Sequence, residues 1–213
     1  MEFSDFMNEY YPDLELKIPV FYNWDIGIRF ELGIETDDDN SSEENRYFKE
    51  VYHRAITLFK SLHLPEDEIF LVANVHDFGN KATSKYKLNL FSRYTKDKSL
   101  LTKLTHITYP YVYPEDDKEG KYKTHRFILK CKVSDINYVP LLKAICNVDY
   151  EIKPYISHDV FFINLKTKTI FQIYDDRGCD LVAPSPESIK DMYEKYNGWI
   201  FDYDRTKIDQ VFK

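Results

Sequence analysis

Hydrophobic residues recur along this chain with two different periods, and the two periods divide it into strands and helices. From Ile26 to Gly33, Ile26, Ile28, Phe30 and Leu32 alternate with Arg29 and Glu31. That period of two predicts a half-buried strand, with Arg29 and Glu31 paired on its outer face. Between Phe48 and Leu62 the spacing changes. Phe48, Val51, Ala55, Leu58, Phe59 and Leu62 fall on one face of a helix that stops near Pro65. Ser41 and Glu44 are spaced as a capping box for it. The opening stretch, Ser4 to Tyr11, is also helical in period, with Ser4 as its cap and Pro12 as its stop.

Ile69 to Val75 is an unbroken apolar run and predicts a buried strand. His106 to Tyr113 reads as extended. Residues 125–133 alternate, with Phe127, Leu129, Cys131 and Val133 inward and Arg126, Lys130 and Lys132 outward. Behind Pro140, Val139, Leu142, Ile145 and Cys146 return to helical spacing. His158 to Leu165 and Thr169 to Tyr174 are apolar on both faces and joined by Lys-Thr-Lys, which predicts a central antiparallel hairpin. A third strand, Asp180 to Ala183, follows a turn at Asp175 to Gly178. Ser185-Pro186-Glu187 starts a helix whose stripe is Ile189, Met192, Tyr193 and Tyr196, and Asp204 caps a last one. The sum is an α+β protein: a mainly antiparallel sheet with a C-terminal β-meander and several packed helices. Residues 1–213 read as a single domain, with the one candidate boundary near Gly120.

Composition narrows the class. Hydrophobic residues are 43% and charged residues 31%, so the chain can bury a core rather than stay disordered. Cys131, Cys146 and Cys179 form no CxxC pair, which argues against a disulfide framework or a zinc ribbon. The start carries no signal-peptide pattern and no run is long enough to span a membrane, so we read a cytoplasmic protein. The net charge of -7 disfavours nucleic acid and anionic membranes as partners and favours a basic protein. A basic segment, 81–103, runs against that trend: Lys81, Lys85, Lys87, Arg93, Lys96, Lys98 and Lys103 are interleaved with Tyr86, Phe91 and Tyr94. Such a segment can track a phosphate backbone, but it reads more simply as a solvated face with its aromatics turned inward.

The stretch "IYDDRGCDLVA", Ile173 to Ala183, holds the densest chemistry. In its plain reading Asp175 or Asp176 bonds its own backbone, Gly178 supplies a positive φ, and Arg177 pairs with an Asp. The hairpin adds more. Centred on Thr167, it sets His158 and Asp159 opposite or next to Asp175 and Asp176. His158, Asp159, Asp175, Asp176 and Arg177 are therefore the candidate catalytic residues. Crowded carboxylates need a cation, either Arg177 or a divalent metal, and His and Asp serve as acid, base or ligand. No phosphate loop, HExxH or nucleophile elbow accompanies them, and no cofactor motif is present. The remaining histidines, His53, His63, His76, His106 and His125, are scattered in sequence.

The runs "RFILKCKVSDINYVPLLKAICN", "ISHDVFFINLKTKTIFQIYDDRGCDLVA" and "YEKYNGWIFDYDRTKID" resemble the bacterial family known as domain of unknown function 3885. "FYNWDIGIRFELG" and "YFKEVYHRAITLFK" are similar to it too. The resemblance implies a small bacterial cytosolic α+β protein and brings no catalytic residues. Two functions follow as expectations. One is a non-enzymatic protein-binding module, immunity- or antitoxin-like, that neutralises a basic partner through tyrosines and the acidic loops 35–44 and 114–120. The alternative is a metal-assisted phosphoester hydrolase built on the five-residue cluster.

Overall fold

The computed structural model describes residues 1–35, 45–79 and 89–213. The core element is one antiparallel sheet of seven strands: β1 (Gly27–Glu31), β2 (Glu68–Asp77), β3 (Thr105–Pro110), β4 (Lys123–Lys132), β5 (Asp159–Asn164), β6 (Thr169–Ile173) and β7 (Gly178–Val182). Their order across the sheet is β1-β7-β6-β5-β2-β4-β3. The meander β5-β6-β7 thus lies between β1 and the long pair β2-β4, and the fold is α+β. Strands β3 and β4 pair across Gly120.

Six α-helices accompany the sheet among the described residues: α1 (Phe3–Tyr10), α2 (Arg46–Leu62), α3 (Asn89–Tyr94), α4 (Tyr138–Cys146), α5 (Lys190–Lys195) and α6 (Arg205–Phe212). None of them is long and apolar enough to cross a membrane. Apart from the exposed edge strand β3, the sheet is covered on both faces, so its strands carry two hydrophobic sets. One face, with Ile69, Leu71, Phe162, Phe171 and Leu181, packs on Phe48, Phe59 and Leu142 of α2 and α4. The other, with Phe70, Val72, Phe161, Ile163 and Ile170, packs on Phe6, Tyr11, Leu16 and Val20 of α1 and the segment after it.

This second layer accounts for several departures from the periodic reading. Arg126 is buried, not outward. Its Nε donates to Asn74 Oδ1 at 2.8 Å and its Nη2 to the Leu16 carbonyl at 2.9 Å, because the N-terminal segment covers that face. Val139 is exposed although it precedes Pro140 at core spacing; Leu141 takes the buried place. The N-cap of α2 is Asn45, whose Oδ1 accepts from Phe48 N at 2.8 Å; the expected Ser41–Glu44 box lies outside the described residues. In α1 the cap position is Glu2 rather than Ser4, and it makes no side-chain capping bond. The stretch after Ser185 divides into a 3-10 turn, Pro186–Ser188, and α5. Cys131, Cys146 and Cys179 are all buried free thiols.

Candidate functional site

An open cavity of about 660 Å³ lies at one end of the sheet, at the turn between β6 and β7. Five segments build it: the stretch before β1, β1 itself, Tyr113 after β3, the β6–β7 turn, and the stretch before α6. Its centre is Arg29. The guanidinium carbon sits 4.7 Å from the Tyr174 ring centroid, 4.9 Å from Tyr22 and 5.8 Å from Phe201. Nη1 donates to the Tyr22 hydroxyl at 2.7 Å and lies 3.5 Å from Asp204 Oδ2. Nε lies 3.3 Å from Asp180 Oδ1, an ion pair without hydrogen-bond geometry. The expected Arg29–Glu31 surface pair is therefore replaced. Asp180, facing Arg29 across the β1–β7 pairing, is buried and takes the cation. Asp204 marks the start of α6 but makes no side-chain capping bond; it accepts from Tyr22 OH at 3.1 Å instead.

Burial governs the proton affinities here. It pushes the Asp180 carboxyl up to about 7, against the pull of Arg29 and the Phe21 N–H bond at 3.0 Å. It also raises the Tyr174 phenol. For Arg29 burial opposes the charge, but Asp180 and the surrounding phenols outweigh it, and the net shift is upward. The cavity therefore contains a permanent cation held between aromatic rings.

The turn itself follows the plain reading at Asp175. Its Oδ1 accepts from Arg177 N at 2.8 Å and its Oδ2 from Arg177 Nε at 2.9 Å. Arg177 Nη2 also reaches Asp149 Oδ2 at 3.5 Å. Gly178 differs from expectation. It is the first residue of β7, paired with Glu31, and its φ is not positive. What it provides is room: a Cβ there would stand 2.0 Å from the Tyr174 hydroxyl and 2.7 Å from the Phe30 carbonyl.

The five candidate residues do not converge. Asp175, Asp176 and Arg177 share the turn, joined by Asp149 from the loop after α4. The carboxylates of Asp149, Asp175 and Asp176 offer ligand atoms within 4.8 Å of one another, a spacing that could hold a metal ion. Asp176 accepts a short hydrogen bond from Tyr47 OH of α2, while its Oδ1 has no partner. Burial raises its pKa, Tyr47 lowers it and Asp175 raises it further, for a net upward shift. Asp159 faces the other side of the sheet. Its Oδ2 lies 3.0 Å from His76 Nε2 and 3.4 Å from Tyr113 OH. His158 beside it has a depressed pKa, chiefly through burial.

The turn after β6, more than the register, separates them. Phe162 faces Phe171 and Asn164 faces Thr169, one residue away from pairing centred on Thr167. Asn164 Oδ1 accepts from Lys166 N at 2.9 Å and Thr167 N at 3.2 Å, and Lys168 takes a positive φ of 59°, so the loop spans 165–168. Asp159 lies opposite Asn74 in the β5–β2 pairing and beside His76, whereas β6 ends at Ile173 and leaves Asp176 in the turn, where it meets Tyr47 of α2. The sequence reading missed Arg29, Asp180, Asp204 and Asp149. Asp180 carried one available signal: it is the only charge in β7, a strand that is otherwise apolar.

Of the basic segment, Lys81, Lys85, Lys87 and Tyr86 lie outside the described residues. Phe91 and Tyr94 are buried, and Lys96 and Lys98 donate to the Ser134 and Thr95 carbonyls at 2.8 and 2.5 Å. In the acidic loop 114–120, Asp117 accepts from Lys121 N at 3.0 Å and Tyr122 N at 2.8 Å.

Comparison with known proteins gives a family but no activity. The family model for a domain of unknown function, DUF3885, matches residues 3–204. The chain is 36% identical over 212 residues to the uncharacterized protein YnaE of Bacillus subtilis (strain 168), covering 95% of this chain and 99% of that one. No solved structure gives a significant match.

Proposed function

We propose that this chain, which belongs to the family described as domain of unknown function DUF3885, is a non-enzymatic protein-binding module of the bacterial cytoplasm. It neutralises a basic partner, in the manner of an immunity protein, and meets it at the rim of the Arg29 cavity. The observation that carries this reading is the rim itself. Tyr203 is 88% exposed and Tyr22 48%, on either side of Asp204, with the fully solvated Asp202 adjacent. Large exposed aromatics are among the residues that dominate protein interfaces, and an acidic chain steers a basic partner toward them. Photo-crosslinking tests it. Benzoylphenylalanine at position 203 should give one discrete adduct with a basic protein in lysate of the source cell, and the same group at Ser99, outside the cavity, should give none. No adduct at 203, or the same adducts from both positions, would overturn the reading.

A second reading, metal-assisted phosphoester hydrolysis, is supported by the spacing of Asp149, Asp175 and Asp176. In it these carboxylates hold a divalent ion and Arg177 contacts the phosphoryl group. Mg2+ or Mn2+ titration of an Asp175→Asn/Asp176→Asn variant decides it: binding unchanged from the wild type would remove this reading.

A further inference from the structure

Two histidines from different strands, His106 and His125, come together on one face of the sheet, while a third, His76, stays apart. His76 takes the Asp159 side of the sheet. His125 of β4 and His106 of β3 take the opposite side, because His125 pairs with Val75 and Thr108, and His106 with Phe127. The diagonal across that pairing brings His106 Nε2 to 2.9 Å from His125 Nδ1. Thr108 Oγ1 is 3.2 Å from the same Nδ1.

We propose that His106 and His125 form a binding site for a late first-row divalent cation, with Cu2+ held most tightly, that clips the edge strand β3 to β4. Several features of the pair support this. The two ring nitrogens, from two different strands, share one hydrogen bond in which one donates and the other accepts, and a metal ion would take the place of the shared proton. Two imidazoles bound side by side at about 2.0–2.1 Å place their nitrogens about 3 Å apart, the separation the pair has already. The His106 ring lies flat on Phe127, with centroids 4.5 Å apart and planes 10° apart, which fixes its orientation. The other nitrogen of His125, Nε2, stands 3.8 Å from Asp77 Oδ2. At that distance the carboxylate acts on the ring through its charge, which favours a proton on Nε2 and leaves Nδ1 to the metal. His106 itself is exposed, which gives an ion a route in.

The ligand softness selects the class. Paired imidazoles favour Cu2+, Ni2+ and Zn2+ over Mg2+ and Ca2+, and the divalent series places Cu2+ first. This sets the pair apart from the carboxylate triple Asp149, Asp175 and Asp176, whose oxygens favour the harder ions.

Isothermal titration of Cu2+ into the untagged full chain is the test, with electron paramagnetic resonance of the complex. The expected result is one saturable equivalent whose spectrum carries coupling to imidazole nitrogen. His106→Ala, a change at an exposed ring, should weaken binding by more than about tenfold, while His53→Ala and Asp149→Asn leave it unchanged. Absence of saturable uptake would overturn the proposal. So would wild-type affinity in His106→Ala, or a loss that appears in Asp149→Asn instead.

Discussion

His63, the residue that closes α2, stacks on Phe59 with ring centroids 4.2 Å apart, and its Nδ1 lies 2.9 Å from the Phe59 carbonyl. Its Nε2 has no partner, and burial brings the pKa from 6.5 to about 4. The unfolded ring takes up a proton near pH 6.5, whereas the native ring refuses it until about pH 4. Between those values the unfolded state holds more protons, so stability falls as pH falls through the window. Asp180 has the opposite sign. Its native pKa of about 7 stands above the unfolded 3.8, so its contribution falls as pH rises through that range. Comparing His63→Phe with wild type isolates the histidine. The urea midpoints should shift in favour of the variant by about 2 kcal/mol on going from pH 7.5 to pH 5; a difference independent of pH would contradict the assignment. Gly178 makes a second residue-scale point. Gly178→Ala should cost about 3 kcal/mol in chemical denaturation, because the new methyl overlaps the Tyr174 hydroxyl and the Phe30 carbonyl. A loss below about 0.5 kcal/mol, as for an ordinary surface change, would show that the close approach is not real. Glycine in "DDRG" reads as a turn signal. The constraint on it comes from a ring folded back by tertiary packing, which local sequence does not record.

At the scale of elements, hydrophobic period served well wherever one face of an element met the core. Phe48 to Leu62 gave α2, and the alternation from Ile26 gave β1. It served less well where both faces are covered. Arg126 occupies an outward position of β4 in the alternating pattern, yet the N-terminal segment closes over it, and nothing near residue 126 announces that cover. The hairpin was legible and its register was not, because the choice between a tip on Thr167 and the loop 165–168 rests on Asn164 bonding back to the loop and Lys168 taking a left-handed backbone. What parts Asp159 from Asp176 is the end of β6 at Ile173, which leaves Asp176 in the turn beside Tyr47 of α2. Helix ends carry a similar lesson: Asn45, not a residue of the Ser41–Glu44 box, accepts the Phe48 N–H. Asn45→Ala should therefore lower stability by about 1 kcal/mol, read from the denaturant midpoint with an unchanged slope; a neutral substitution would place the functional cap elsewhere.

For the whole molecule, the sheet acts as a platform with helices on one face and the N-terminal segment on the other, and the cavity opens where the two layers meet at the β6–β7 turn. Arg29, Asp180 and Asp204 come from three distant parts of the chain, so only the assembled fold brings them together. Their arrangement braces an aromatic lip, with Tyr22 packed on Arg29 and Tyr203 projecting beyond it. The charge of -7 extends the reach of that lip at low ionic strength. The central claim is that this lip receives a basic protein. The most direct measurement is quantitative affinity capture from native lysate of the source cell, at low and at high salt, with wild type and Tyr203→Ala run side by side. The account predicts one stoichiometric basic protein retained by the wild type at low salt, weakened by salt and lost from Tyr203→Ala by at least about tenfold. Retention of the same protein by both chains, or no stoichiometric protein at either salt, would contradict it.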